Sequence, residues 1–279
     1  MNPLCQRGQA SCGACCGLYN RADLSREAAA ALLDRRTEAL AGVPRTVEAF
    51  RAAAARLGED EEAPLFPSVR VCPLLGWLDA ARTRAGCLAH PLATGGADLR
   101  DCGVYDARIC DSFLCPSHSW LSEEEAELAA EACAGDPYLY GLVVTDVPFL
   151  RAALEGVAAL AGARVERRHL QDPRFLAALR ALFALKEELA PGSEGLFGAF
   201  RAGPDGEPLP RAIDYAALGR PAPSPHDALL TCVGADPRSG NDLDALEGEV
   251  RARLEACAAA LEAAGARDRR PALQIRTDP

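Results

Sequence analysis

Cysteine is the residue whose number and spacing could do chemistry in this chain. Nine of the twelve cysteines fall within the first 115 residues. The tightest group reads Ser11-Cys12-Gly13-Ala14-Cys15-Cys16-Gly17, with Cys5 before it and Cys72, Cys87, Cys102, Cys110 and Cys115 after it. Cys133, Cys232 and Cys257 are scattered. Thiolates at short spacing in a reducing compartment point to metal binding, redox chemistry or both. Cys12-x2-Cys15 lets two sulfurs reach one tetrahedral centre, the spacing of zinc knuckles and iron–sulfur loops. A thioredoxin-like reading of the same pair wants a preceding strand, which a polar N-terminus does not offer.

The adjacent pair Cys15-Cys16 is harder to accommodate. Neighbouring side chains of an extended chain point opposite ways, so the two sulfurs do not easily share one mononuclear ion. They can serve two ions, two corners of a cluster, or one ion and a free thiol. Cys110-x4-Cys115 poses a related problem. Five residues of helix turn through about 140°, so these sulfurs converge on one site only across a loop or broken turn. Pro116 favours that break. Cys72 precedes Pro73 and Cys87 follows Gly86, both loop-like settings.

The blocks Cys12-x2-Cys15-Cys16, Cys72-Pro73-Leu74-Leu75, Gly86-Cys87-Leu88-Ala89-His90-Pro91 and Tyr105-x4-Cys110-x4-Cys115-Pro116 resemble the bacterial cysteine-cluster family described as zinc- or iron-chelating (YkgJ-type). The resemblance covers residues 5–118. The family's hallmark is Cys-x2-Cys-x2-Cys-Cys, so its first cysteine falls at Gln9 here. Cys5 is the nearest substitute. The resemblance implies a metal site drawn from Cys5, Cys12, Cys15, Cys16, Cys72, Cys87, Cys110 and Cys115. Eight thiolates can form two four-ligand sites, or one cluster site plus a zinc site. Cys102 is a reserve for Cys87 or Cys5. The implied cofactor is an iron–sulfur cluster or iron, with zinc as the alternative. Related cysteine-cluster domains occur in flagellin lysine methylases, so the resemblance permits a metal-dependent modifying enzyme. The other classes are a structural zinc module in a protein-interaction domain and a metal storage or delivery protein.

Other side chains carry plainer readings. His90 is spaced to join a metal site but reads first as a surface or supporting histidine. His118, His169 and His226 read as solvated. Arg7, Arg100 and Arg108 lie near ligand candidates in sequence, where a cation would offset thiolate charge, but read first as solvated. Tyr105 and Trp120 are candidates to shield a cluster or to pack in a core. Cys133, Cys232 and Cys257 read as small buried hydrophobes. Sequences for nucleotide, zincin or serine-hydrolase chemistry are absent.

The elements that must hold these thiols are mainly α. The chain has 279 residues, 49% of them hydrophobic and only 5% aromatic. The expected fold is an irregular, Cys-rich metal-binding region (residues 1–120) packed on an Ala-rich helical scaffold (121–265), with a flexible tail (266–279). Helices are expected from Asp23 to Leu40, from Thr46 to Leu57, and briefly near Trp77–Arg84. Ser122 and Glu125 have capping-box spacing, for a helix ending at Gly135. Asp136-Pro137, Asp146-Val147-Pro148 and Asp172-Pro173 each open a helix with proline in its first turn. A last helix runs from Asp242 to Gly265, with an apolar stripe through Leu243, Leu246, Val250, Leu254, Cys257 and Leu261. Segments 197–202 and 207–213 form the one expected hairpin, around Gly203-Pro204-Asp205-Gly206.

The formal net charge of −10 argues against phosphate-directed nucleic-acid binding. No apolar run approaches a membrane span, and the opening residues lack the apolar stretch of a secretory signal. Metal ions, and a protein partner or substrate, are the expected partners, in the cytoplasm. Disulfides are the counter-reading, since the cysteine density approaches that of disulfide scaffolds.

Overall fold

A computed structural model describes residues 4–59, 63–189 and 199–268. The chain is mainly helical, with three two-stranded antiparallel sheets among the described residues. The packed centre is built from three helices, Val147–Ala161, Pro173–Phe183 and Gly240–Asp268. Each turns a three-four stripe inward. Phe149, Leu150, Ala153 and Val157 come from the first, Phe175, Leu179 and Leu182 from the second. The third supplies Leu243, Val250, Leu254, Cys257 and Leu261, as the sequence spacing implies.

Aspartates start the first two of these helices and also the Pro137–Val144 helix that packs beside them. Asp136, Asp146 and Asp172 accept from the backbone N–H of Leu139, Phe149 and Arg174. Each precedes a proline near the helix start, where the missing N–H costs nothing. Two of these aspartates also bind cations. Asp136 takes Arg26 at 2.8 and 2.9 Å and Arg180 at 2.7 Å, which ties three helices together. Asp146 takes Lys186, the chain's one lysine, at 2.6 Å. Both partners are buried, and Lys186 also donates to the Cys232 carbonyl at 2.7 Å. Ser122 and Glu125 form the full capping box of the Glu123–Ala132 helix.

The N-terminal region folds against this scaffold. Leu4 and Ala10 belong to the central core. A second cluster joins Leu18, Tyr19, Leu32, Leu33 and Leu75 to Tyr138 and Leu142. A third joins Phe50, Leu57, Leu74 and Leu99 around the Val47–Glu59 helix.

Several expectations change. The stretch near Trp77–Arg84 is no helix: Leu75–Trp77 pairs antiparallel with Ala85–Cys87. Asp79 drives the turn between them, accepting from the Thr83 N–H at 2.8 Å and the Thr83 hydroxyl at 2.7 Å. Trp77 is fixed by Thr37 and Asp34 of the Arg26–Ala41 helix. That helix starts later than expected, because Ser25 rather than Asp23 is its cap. The last helix starts at Gly240 and continues through Asp268, past Gly265. Residues 269–279 of the expected tail, and 197–198 of the expected hairpin, lie outside the described residues. The rest of that hairpin forms, Phe200–Ala202 against Pro208–Pro210. His169 is buried rather than solvated, accepting from the Glu166 N–H and lying edge-on to Phe175. Among the described residues no two cysteines are joined by a disulfide.

Candidate metal centre

The first group of thiols is assembled by a hairpin and two turns. Gln6–Arg7 pairs with Ala10–Ser11, Gln6 opposite Ser11 and Arg7 opposite Ala10. The ladder extends one step, since the Cys12 N–H donates to the Cys5 carbonyl at 3.1 Å. Cys5 and Cys12 therefore face each other across the strand ends. Gln9, where the family hallmark has a cysteine, sits exposed in the hairpin turn. Cys5 enters from the opposite strand. The short turn Ala14–Cys16 then carries Cys15. Cys15 lies beside the thiol of Cys115, just before the Ser117–Trp120 helix, and their contact couples the two, raising Cys15 and lowering Cys115.

The second group lies on the other side of the Cys15–Cys16 peptide. The Cys72 N–H donates to the Cys16 carbonyl at 2.9 Å. Gly17 makes that approach feasible: its φ is +85°, and a Cβ there would stand 2.8 Å from the Val71 Cα. Cys87 ends the strand whose partner, Leu75, lies three residues beyond Cys72. Cys110 comes from the Ala107–Ser112 helix, capped by Asp106. Burial pushes the Cys16 thiol well up, and the strongest electrostatic contributions after that come from Cys72, Cys87 and Cys110. Cys87 is pushed up to about 12 by burial, with Cys72 and Cys110 adding to it.

These thiols have the supports that thiolates need. Backbone N–H groups two residues ahead point at three sulfurs: Ala14 at Cys12 (3.4 Å), Ala89 at Cys87 and Ser117 at Cys115. Such bonds favour the charged form. Arg100 adds a fixed cation. It is buried, held by Asp98 at 2.9 and 2.6 Å and by Asp111, and its charge favours the Cys87 and Cys110 thiolates. Arg7 is buried too, against Glu123 and Glu127. Neither is the solvated arginine expected from the sequence; Arg108 is.

The remaining candidates have other partners, although Cys102 packs in the same buried cluster as Cys72. Cys102 is buried with its thiol on the Val47 carbonyl at 3.4 Å, and its electrostatic neighbours are Arg51, Asp101 and Glu48. His90 caps the Pro91–Thr94 turn, accepting from the Leu92 N–H. Cys133, Cys232 and Cys257 are core side chains. Tyr105 lies half-buried beside Cys16 and Cys72, whereas Trp120 is 62% exposed and shields nothing. The sequence places Arg100 near the ligand candidates but favours solvation, because its burial depends on Asp98 and Asp111 closing over it. Sequence reasoning missed Ser117, for which nothing local spoke.

Among the described residues no three His, Cys, Asp or Glu side chains are arranged to hold a metal ion as they stand. The thiols are gathered without being closed around a point. The donor set nevertheless suits a soft thiophilic ion, by sulfur count, N–H support and a nearby cation. A cavity of about 390 Å³ lies elsewhere, lined by Tyr215, Asp227, Thr231 and Cys232 among others, and takes no wall from residues 5–115. Searches against protein-family models, curated proteins and solved structures found no match to this chain.

Proposed function

We propose that this protein is a cytoplasmic metal-binding protein that chelates iron, as an iron–sulfur cluster or iron ions, or zinc. The ligands come from Cys5, Cys12, Cys15, Cys16, Cys72, Cys87, Cys110 and Cys115. One observation carries the reading. Eight thiols spread over 110 residues of chain gather in one region, while Cys133, Cys232 and Cys257 stay in the helical core. A fold with no use for thiolates has no reason to collect them, since their mutual repulsion disfavours ionisation. The resemblance to the zinc- or iron-chelating family supports the same residues. When bound, the metal supplies either a redox centre or a cross-link between loops.

Zinc in a structural module is the second reading. The ligand candidates come from loops and short turns, which a closed four-thiolate ion would staple. Storage or delivery draws support from the exposure of Cys5, Cys15 and Cys110. No reaction is assigned, because the cavity near Tyr215 is not built from the thiol region. Anaerobic purification followed by metal and sulfide analysis and Mössbauer spectroscopy separates these. Iron with inorganic sulfide supports the cluster, zinc that unfolds the N-terminal region on chelation supports the module, and freely exchanging metal supports delivery. Protein that takes up no iron or zinc under reducing conditions ends the proposal.

A further inference from the structure

We infer that the turn Arg100–Cys102 is a bracket that positions the segments bearing Cys72, Cys87 and Cys110, and that Asp101 is the positioning residue for Cys110. This rests on the metal-binding reading and adds to it the element that holds three of its ligand candidates. The ninth cysteine of the region anchors the bracket. Cys102 is buried, its thiol donates to the Val47 carbonyl at 3.4 Å, and it packs with Leu99 in the cluster around the Val47–Glu59 helix.

Cys72 meets the bracket by packing. It shares that cluster with Leu74, Leu99 and Cys102, and a Cβ on Gly103 would stand 3.0 Å from the Cys72 sulfur and 2.8 Å from a Leu74 methyl. The φ of Gly103 is −92°, so this glycine serves close approach and not an unusual backbone. Cys87 meets the bracket through the main chain. The Leu99 N–H donates at 3.0 Å to the carbonyl of Ala89, two residues beyond Cys87.

Cys110 meets the bracket through Asp101. The Ala107–Ser112 helix is exposed from Arg108 onward, and Asp106 caps it locally through the Ile109 N–H. Its first N–H, on Ala107, donates instead to the Asp101 carboxylate at 2.7 Å. A first-turn N–H has no partner within its own helix, so this bond ties the helix to the bracket without breaking a helical one. Arg100 grips the same helix at Asp111, but removing Arg100 also removes a cation. Asp101 separates position from charge. Asparagine keeps an acceptor oxygen, alanine does not, and both remove the negative charge. Loss of a nearby carboxylate favours thiolates, so weaker metal retention confined to the alanine variant has a positional cause.

The test compares the full-length native chain with Asp101→Ala and Asp101→Asn, reduced and anaerobic. In the metal-free proteins, amide exchange of residues 107–112 is expected to be about 10-fold faster in Asp101→Ala, with Asp101→Asn near the native rate. In cobalt(II) titrations read by thiolate-to-cobalt charge-transfer absorption, with zinc competition, Asp101→Ala is expected to retain metal about 10-fold more weakly. Asp101→Asn should recover most of that loss. In zinc-loaded Asp101→Ala, Cys110 should lose protection against alkylation before the other candidate thiols. Gly103→Ala, which presses on the Cys72 sulfur, should weaken retention while leaving exchange of residues 107–112 unchanged.

Equal exchange and equal retention in Asp101→Ala and Asp101→Asn overturn the positioning role and leave metal binding intact. No cobalt or zinc bound by the native chain overturns the metal reading, while the metal-free exchange rates still decide whether Asp101 holds the helix.

Discussion

At the residue scale, the arginines show how a fixed cation differs from a solvated one. Arg100 and Arg108 lie eight positions apart, yet Arg100 is buried between Asp98 and Asp111 while the Arg108 side chain is 93% exposed. Only the first is set to offset thiolate charge, since a pre-oriented charge next to a ligand tunes its affinity. Arg100→Met is expected to weaken metal retention at the Cys16/Cys72/Cys87/Cys110 group by about 10–100-fold, measured by chelator competition. Arg108→Met should leave it unchanged. Equal retention in both variants would show that Arg100 serves only to pin Asp98 and Asp111. The eight thiols themselves were readable from residue type and spacing. Their pairing was not: sequence neighbours Cys15 and Cys16 part company, and Cys5 joins Cys12 only through a hairpin that no strong strand pattern announces. Arg7 was unreadable for a similar reason, as its carboxylates, Glu123 and Glu127, lie more than a hundred residues away.

At the scale of elements, the thiol-bearing loop depends on how Tyr19 lies on the Pro137–Val144 helix. Its hydroxyl donates to the Tyr138 carbonyl at 2.7 Å, and a Cβ on Gly141 would clash with the Tyr19 hydroxyl oxygen. Two effects oppose each other in Gly141→Ala. Alanine improves helix propensity by about 1 kcal/mol. Overpacking of a buried site costs about 1–3 kcal/mol, and here it also displaces a buried hydrogen bond worth about 1 kcal/mol. The clash should win, with a net destabilisation of about 1–3 kcal/mol by urea unfolding. An increase in stability would mean that Tyr19 moves aside freely. The helices of this scaffold were legible because Asp-Pro starts, the Ser122 box and three-four stripes are local signals. The hairpin of Leu75–Trp77 with Ala85–Cys87 was not. Its alanines and leucines suit a helix, and only tertiary partners, Thr37 and Asp34 for Trp77, decide otherwise. Ser25 displaced Asp23 as a cap because Asp23 instead accepts from the Ser25 N–H.

At the scale of the whole molecule, the chain keeps two populations of thiols in different settings. The candidates of residues 5–115 have N–H groups and Arg100 that offset part of the cost of burial, although burial still raises Cys12, Cys16 and Cys87. Cys133, Cys232 and Cys257 sit in the helical core, where ionisation is opposed. Among the described residues no helix is long and apolar enough to cross a membrane, and the apolar stripes of the central helices pack against each other. Cys257 isolates the consequence, because burial alone raises its thiol from 9.0 to about 12. A group whose folded value lies above its unfolded value keeps its full contribution to stability below the unfolded value. That contribution is lost as pH rises through the window, here from about 9 to about 12. The loss is about 1.4 kcal/mol for each pH unit within it. Native protein and Cys257→Ala, both metal-free and reduced, should therefore differ in unfolding free energy by about 1.4 kcal/mol less at pH 10 than at pH 8.5. The other buried thiols titrate in both proteins and cancel in the difference, given the distances involved. Parallel stability curves across that range would mean that the last helix opens to water locally before the domain unfolds, and that Cys257 never feels the full cost of its burial.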